Sequence, residues 1–153
     1  MGDLRGASVQ LAVLNDAKLA YANLYRTQFQ NSNLEQADLT DAQAQESQFV
    51  EANLKAADLS GAVFSGSIMT GAYCQEVDLH GAQLEQTILN YTNLVGANLA
   101  HANLGHSLLR HSLLVGAHLY QTNLQSADLS DACCTKSYIY EANLTHLKAI
   151  AWI

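Results

Sequence analysis

The sequence repeats every five residues, and the repeat continues along the chain without an insertion or a deletion. We number its positions so that residue numbers ending in 2 or 7 are first positions and numbers ending in 1 or 6 are fifth positions. Between Leu4 and Ala149 the third position holds twenty Leu, three Phe and seven other apolar or small residues, and the first position is mostly Ala, Ser or Thr. A period of five matches neither the helical period of 3.6 nor the strand period of 2. The sequence therefore predicts a solenoid, in which each repeat forms one side of a coil.

Charged residues identify the repeat positions that face solvent. All 21 charged residues and all six histidines occupy second, fourth or fifth positions. First and third positions are therefore predicted to face inward, so that small and large side chains share one core. The residues predicted to define this core are Leu24, Phe29, Phe49, Phe64, Met69 and Leu99.

The positions of the glycines and the absence of proline predict the geometry of the turns. Seven of the nine glycines fall at the fifth position, which predicts a tight corner with positive φ there. The chain contains no proline, although about 5 % would be usual. The absence of proline predicts that backbone N–H groups are needed as donors almost everywhere.

Charge and composition exclude several classes of function. With 14 acidic and 7 basic residues the net charge is −7, so direct binding to nucleic acid is not expected, because phosphates attract cationic surfaces. No apolar run approaches the roughly 18 residues of a membrane span. The first residues lack the pattern of a secretory signal, so we expect one cytoplasmic domain. Three cysteines do not make a disulfide framework.

The consensus of the repeat is Ala-(Asn/Asp)-Leu-x-x, as in Ala22-Asn23-Leu24 and Ala127-Asp128-Leu129. In these motifs residues 3 to 147 resemble the pentapeptide-repeat protein family. The resemblance implies an all-β fold, a right-handed quadrilateral β-helix with four faces and twenty residues in each coil. At a spacing of about 4.8 Å between coils, the 153 residues would make about 7.6 coils. Cyanobacterial genomes are rich in such proteins, so the resemblance also implies a cyanobacterial source.

The two ends of the predicted β-helix differ in sequence. We assign residues 1–147 to the β-helix, and residues 148–153, which contain the only Trp, to a short apolar C-terminal cap or interface tail. The N-terminal end has no comparable cap, as would result if a longer protein had been trimmed. Unpaired coil edges favour end-to-end association unless they are capped.

Acidic residues form one outward column when the twenty-residue coil is applied. Asp38, Asp58 and Asp78 follow one another on successive coils, and Asn98 comes next. We call these three aspartates the acidic ladder, and we expect their carboxylates to lie about 5 Å apart and to repel one another. The ladder is either a functional acidic surface or a set of solvated aspartates whose repulsion is screened by salt.

Apolar residues form a second outward column. Ile68, Ile88 and Leu108 occupy second positions, where the consensus has Asn or Asp, and we call them the apolar strip. Three stacked aliphatic side chains predict contact with a partner or a second copy. The alternative is that they are scattered β-formers that only stabilise the sheet. Further candidates for protein binding on the next face are Tyr73, Leu113, Val95 and Val115.

Histidines and cysteines are weaker candidates for a site. His101, His106, His111 and His118 cluster around Arg110, but the first three are predicted at three different corners of a coil, too far apart to share a metal ion. Cys74 and Cys134 are predicted to point inward three coils apart, where they cannot form a disulfide. No cofactor or metal is expected. Three tyrosines near the C-terminus are predicted to lie on one face, where they favour contact with a partner: Tyr120, Tyr138 and Tyr140.

Catalysis has no support in the sequence, because no nucleophile, base and orienting acid fall together and a core of Leu and Ala leaves no pocket. The leading prediction is a non-enzymatic interaction or scaffold module that presents flat faces to a protein partner, or self-associates through the apolar strip or the tail. The resemblance implies an alternative, because some family members mimic B-DNA and bind type II topoisomerases such as DNA gyrase. One net charge per roughly 5 Å of rod, against one per about 1.7 Å in B-DNA, argues against that alternative.

Overall fold

The computed structural model describes residues 2–149. Each second-position residue forms a parallel β-bridge with the residue twenty positions later, without interruption from Asp3 with Asn23 to Asp128 with Lys148. Within this range the bridges are isolated, and there is neither a helix nor a longer strand. The fold is the predicted right-handed quadrilateral β-helix. The described residues include no helix with the length and hydrophobicity needed to cross a membrane.

Backbone hydrogen bonds explain why proline is disfavoured at four of the five repeat positions. The N–H of the first position closes a turn onto the third-position carbonyl three residues earlier. The second-position N–H donates to the preceding coil, and the third- and fifth-position N–H groups donate to the following coil, with N to O distances of 2.7–3.4 Å over all these bonds. Four of the five N–H groups in a typical repeat are therefore engaged by backbone carbonyls, and proline would remove one of them.

The corners have the positive φ that the glycines predict. Every fifth-position residue from Gly6 to His146 has φ between 51° and 70°, and because the fourth position has negative φ the turn is of type II. Most of these residues are not glycine, but none is Val, Ile or Thr. β-Branched side chains are the most strained in this region of φ, which accounts for their absence.

The interior is filled by first- and third-position side chains, as predicted. All of them from Ala22 to Leu129 are buried, and the six predicted core residues are among them. Phe49 stacks on Phe29 with ring centroids 4.8 Å apart and meets Phe64 at 5.4 Å. Ala44, one coil before Phe64, is the small residue that keeps this part of the core evenly packed.

The two ends of the described chain differ in how completely they are packed. In the first coil Leu4, Val9 and Leu14 are only partly buried against the core. At the other end Lys148 still pairs with Asp128, so the register reaches this residue. Of the proposed cap or tail at 148–153, residues 150–153 lie outside the described residues.

Candidate functional site

The β-helix presents four faces, each centred on one column of second-position residues. The columns run from Asp3 to Asn143 on face 1, from Ser8 to Lys148 on face 2, from Val13 to Cys133 on face 3 and from Lys18 to Tyr138 on face 4. Because the faces follow one another around the coil, face 2 and face 4 lie on opposite sides of the rod. The candidate residues are divided among faces 2, 3 and 4.

The acidic ladder lies on face 4, in the column that the sequence predicts. Asp38, Asp58 and Asp78 are bridged in succession. Each carboxylate Oδ1 accepts the N–H two residues later, at 3.2, 2.9 and 2.9 Å respectively. Hydrogen bonds from Thr40 are the main reason why the pKa of Asp38 lies below its ordinary value. The ladder therefore stabilises its own turns as well as presenting charge.

The apolar strip is continuous on face 2. Ile68 is bridged to Ile88, and Ile88 to Leu108. The two isoleucines are half-buried, and Leu108 is 38 % exposed. The side chains thus form an unbroken aliphatic surface that spans three coils.

The other protein-binding candidates lie on face 3 but do not form one patch. Tyr73 and Leu113 are both exposed, and Asn93 lies between them in the same column. Val95 and Val115 are half-buried and lie one coil apart at fourth positions. Face 3 therefore offers separate apolar side chains, whereas face 2 offers a strip.

Aromatic rings gather on the C-terminal half of face 4 and its corner. We call these residues the aromatic cluster: His80, His101, His118, Tyr120, Tyr138 and Tyr140. The ring centroids of His80 and His101 are 5.1 Å apart, and those of His101 and Tyr120 are 5.3 Å apart. Tyr140 stacks on Tyr120 at 5.9 Å, and His118 meets Tyr138 at 4.9 Å. The sequence identified the three tyrosines as one group and singled out His101 and His118 separately, but it did not predict that these histidines contact the tyrosines.

The remaining histidines and the cysteines do not form a chemical site. His111 stacks on Tyr91 with centroids 4.9 Å apart and lies 3.9 Å from the Asp131 carboxylate, away from His101. Among residues 2–149 no three His, Cys, Asp or Glu side chains come together in a way that would hold a metal ion. Cys74 is buried, and burial raises the pKa of its thiol to about 12. Hydrogen bonding with Thr135 lowers the pKa of the Cys133 thiol, an effect that the sequence did not indicate.

Comparison with known proteins agrees with this geometry. A family model described as pentapeptide repeats matches in eight copies, over residues 3–36, 17–55, 47–82, 78–114 and 102–137. The chain belongs to the pentapeptide-repeat family. No curated protein sequence matches it.

Solved structures of other pentapeptide-repeat proteins are similar to this chain. HetL from the cyanobacterium Nostoc sp. strain PCC 7120, involved in heterocyst differentiation regulation, is 26 % identical over 93 % of this chain and 72 % of its own, with a TM-score of 0.52. The Nostoc protein alr5209 is 27 % identical over 64 % of this chain and 84 % of its own, with a TM-score of 0.54. QnrB1, a plasmid-mediated fluoroquinolone resistance protein, is 14 % identical over 98 % of this chain and 94 % of its own, with a TM-score of 0.46.

In this pentapeptide-repeat chain the second position has a structural role that the pattern alone did not reveal. All thirteen Asn and Asp residues at this position accept a hydrogen bond from the N–H two residues later, at 2.9–3.2 Å. They thereby cap the fourth-position N–H, the one donor that the coils leave unused. The signal in the sequence is the Asn or Asp that stands just before each of these thirteen turns.

Several apolar side chains are exposed without having been predicted as candidates, and Leu11 and Val13 are the most exposed of them. Leu11 is 77 % exposed at a corner, and Val13 is 81 % exposed at a second position of the first coil. Their outward repeat positions were the signal that could have identified them.

Proposed function

We propose that this protein is a non-enzymatic cytoplasmic interaction module that binds a protein partner on face 2, through the apolar strip. Family membership supports the general class, because pentapeptide-repeat proteins are generally interaction modules without catalytic activity. The strip supports the choice of face.

The observation that carries the proposal is that three aliphatic side chains follow one another on face 2, at second positions that also lack the Asn or Asp cap. Ile68 and Ile88 have no acceptor, and in the described residues no other group accepts the N–H of Thr70 or Asn90. At the third member, Leu108, the N–H of Arg110 is taken up by Asn90 Oδ1 at 2.9 Å.

The energies indicate that the strip is not there for the fold alone. Each lost cap gives up a hydrogen bond worth about 0.5–1.5 kcal/mol. Stacked aliphatic pairs across the coils return only about 0.2–1 kcal/mol each. Replacing a capping Asn or Asp by a stacked aliphatic residue is therefore at best neutral for the stability of the fold. Contiguous apolar side chains at a surface are, however, typical of contact sites.

The test is a substitution that restores the consensus. Ile88→Asn should recover the cap, retain the fold and raise the Kd for a partner captured with the wild-type protein by about tenfold or more, since anchors at the centre of an interface dominate binding. Val63→Asn makes the same kind of change on face 1 and should leave the Kd unchanged. Calorimetric titration measures both. A wild-type Kd in Ile88→Asn would show that the strip is not the interface.

DNA mimicry is the alternative function, and its support is the acidic ladder. Three carboxylates in a row carry too little charge to reproduce a nucleic acid, and each already caps a turn. The ladder is thus accounted for by the repeat itself, and we retain the interaction module as the proposal.

A further inference from the structure

We propose that face 4 is a homodimer interface, on which a second copy of this chain packs antiparallel about a two-fold axis midway between the levels of Asp78 and Asn98. Face 4 carries its polar chemistry in two separate halves. The N-terminal half holds the acidic ladder, and the C-terminal half holds the aromatic cluster with its histidines. Antiparallel packing places each half opposite the other.

The uniform register determines which residues meet. A two-fold axis in the plane of the interface and perpendicular to the rod keeps each column opposite itself and reverses its direction. With the axis midway between Asp78 and Asn98, twenty-residue steps fix the remaining pairs. The pairs, each formed twice, are Asp78 with Asn98, Asp58 with His118, and Asp38 with Tyr138.

Each of these pairs joins an acceptor to a donor. The turn caps use Oδ1 of the ladder carboxylates, so Oδ2, which the caps do not use, is the oxygen offered to a second copy. Across the interface the carboxylates meet an amide, an imidazole and a phenol. Within one chain Asn98 Nδ2 already donates to Asp78 Oδ1 at 3.0 Å, so this pairing is favourable on this surface. The pattern of hydrogen-bond acceptors and donors is therefore self-complementary.

The shapes on the neighbouring column also match. The same axis places the rings of His80, Tyr120 and Tyr140 opposite Ala100, Ser60 and Thr40, so each large side chain meets a small one. Four corners beside the overlapping coils are glycines, which keeps side chains out of the space between the copies. These corners are Gly61, Gly81, Gly96 and Gly116. One like-charged pair, Asp41 with Glu141 of the second copy, remains at a corner, where salt screens it.

This dimer leaves the strip free. Face 2 is opposite face 4, so the two copies would present their apolar strips on the outer sides of the pair. The homodimer is thus independent of the proposed partner site, and loss of one does not entail loss of the other.

Sedimentation velocity on the full chain tests the proposal, with His118→Asp as the decisive variant. This change restores the consensus, because a carboxylate here can cap the N–H of Tyr120, which has no acceptor in the described residues. The introduced carboxylate would also lie against Asp58 of the second copy, and this repulsion occurs twice in each dimer. We expect a wild-type dimer, a Kd about a hundredfold higher in the variant, and no fall in Tm.

Two further variants test the contribution of the Asp58 charge to association while the turn caps are kept. Asp58→Asn keeps the oxygen that accepts from Ser60 and should raise the dimer Kd by about tenfold, because symmetry doubles the lost pair. Asp128→Asn is the matched control, since Asp128 caps Ser130 with the same geometry on face 2, and it should leave the Kd unchanged. Adding Asp58→Asn to His118→Asp should recover most of the lost association.

A wild-type monomer at about 100 μM would overturn the proposal. A dimer that tolerates His118→Asp would overturn it as well.

Discussion

The hydrogen-bond pattern predicts where this proline-free chain will accept a proline. Val95 and Val115 occupy fourth positions one coil apart on face 3 and are both half-buried. The N–H of Val95 donates to Asn93 Oδ1 at 3.2 Å. Val115 follows Leu113, which has no acceptor, and its N–H has none within the described residues. The fourth position is the second residue of a type II turn, where the fixed φ of proline fits.

The difference between the two sites can be given a magnitude. Val115→Pro should leave the free energy of unfolding unchanged or raise it by about 0.4–1 kcal/mol, because proline restricts the unfolded chain. Val95→Pro should instead lower it by about 1–2 kcal/mol, because Asn93 Oδ1 loses its donor. The two variants should therefore differ by about 2 kcal/mol, which is about 4–8 °C in Tm for a chain of this size.

Thermal unfolding followed by circular dichroism measures this difference. Ala97→Pro provides the reference for a site where proline is forbidden, because the buried N–H of Ala97 donates to the Leu94 carbonyl at 3.1 Å. We expect a loss of about 3 kcal/mol or more there. Equal Tm values for Val95→Pro and Val115→Pro would refute the reasoning, as would a Val115→Pro variant as unstable as Ala97→Pro.

Three other predictions follow from the same geometry. Burial alone would raise the pKa of Asp128, but hydrogen bonds from Ser130 and Lys148 outweigh it and lower the pKa to about 2. Ionised Asp128 should therefore stabilise the fold fully above about pH 4, and this stabilisation should fall by about 1–2 kcal/mol as the pH falls to 2. Urea unfolding should show a smaller loss in Asp128→Asn. At Ala56, where φ is 53°, Ala56→Val should have a Tm several degrees below that of Ala56→Gly, and equal values would contradict a strained corner. In a gyrase supercoiling assay the wild-type protein should not inhibit, and inhibition abolished by a triple Asn variant would instead establish DNA mimicry; the three substituted residues are Asp38, Asp58 and Asp78.

The fold was predictable because one repeat position corresponds to one structural environment. The third position alone identified Phe29, Phe49 and Phe64 as core, and the twenty-residue coil then placed the apolar strip correctly on one face. Contacts between different repeat positions were not predictable in this way. His80 and His101 lie at a fourth and a fifth position, so their ring contact depends on the shape of the corner rather than on the register.

The consensus also explains how fold and function can be separated in this chain. Because every repeat closes the same turn, Asn or Asp at an outward second position is close to the optimum for the fold, and departures that share a face with other contact candidates are the ones to which we assign another requirement. Ile88 on face 2 and His118 on face 4 are such departures. We therefore expect the combined variant Ile88→Asn with His118→Asp to be at least as stable as the wild type, while losing both the partner and the dimer. If either single variant were less stable than the wild type, its residue would be serving the fold, and the surface assigned to it would be wrong.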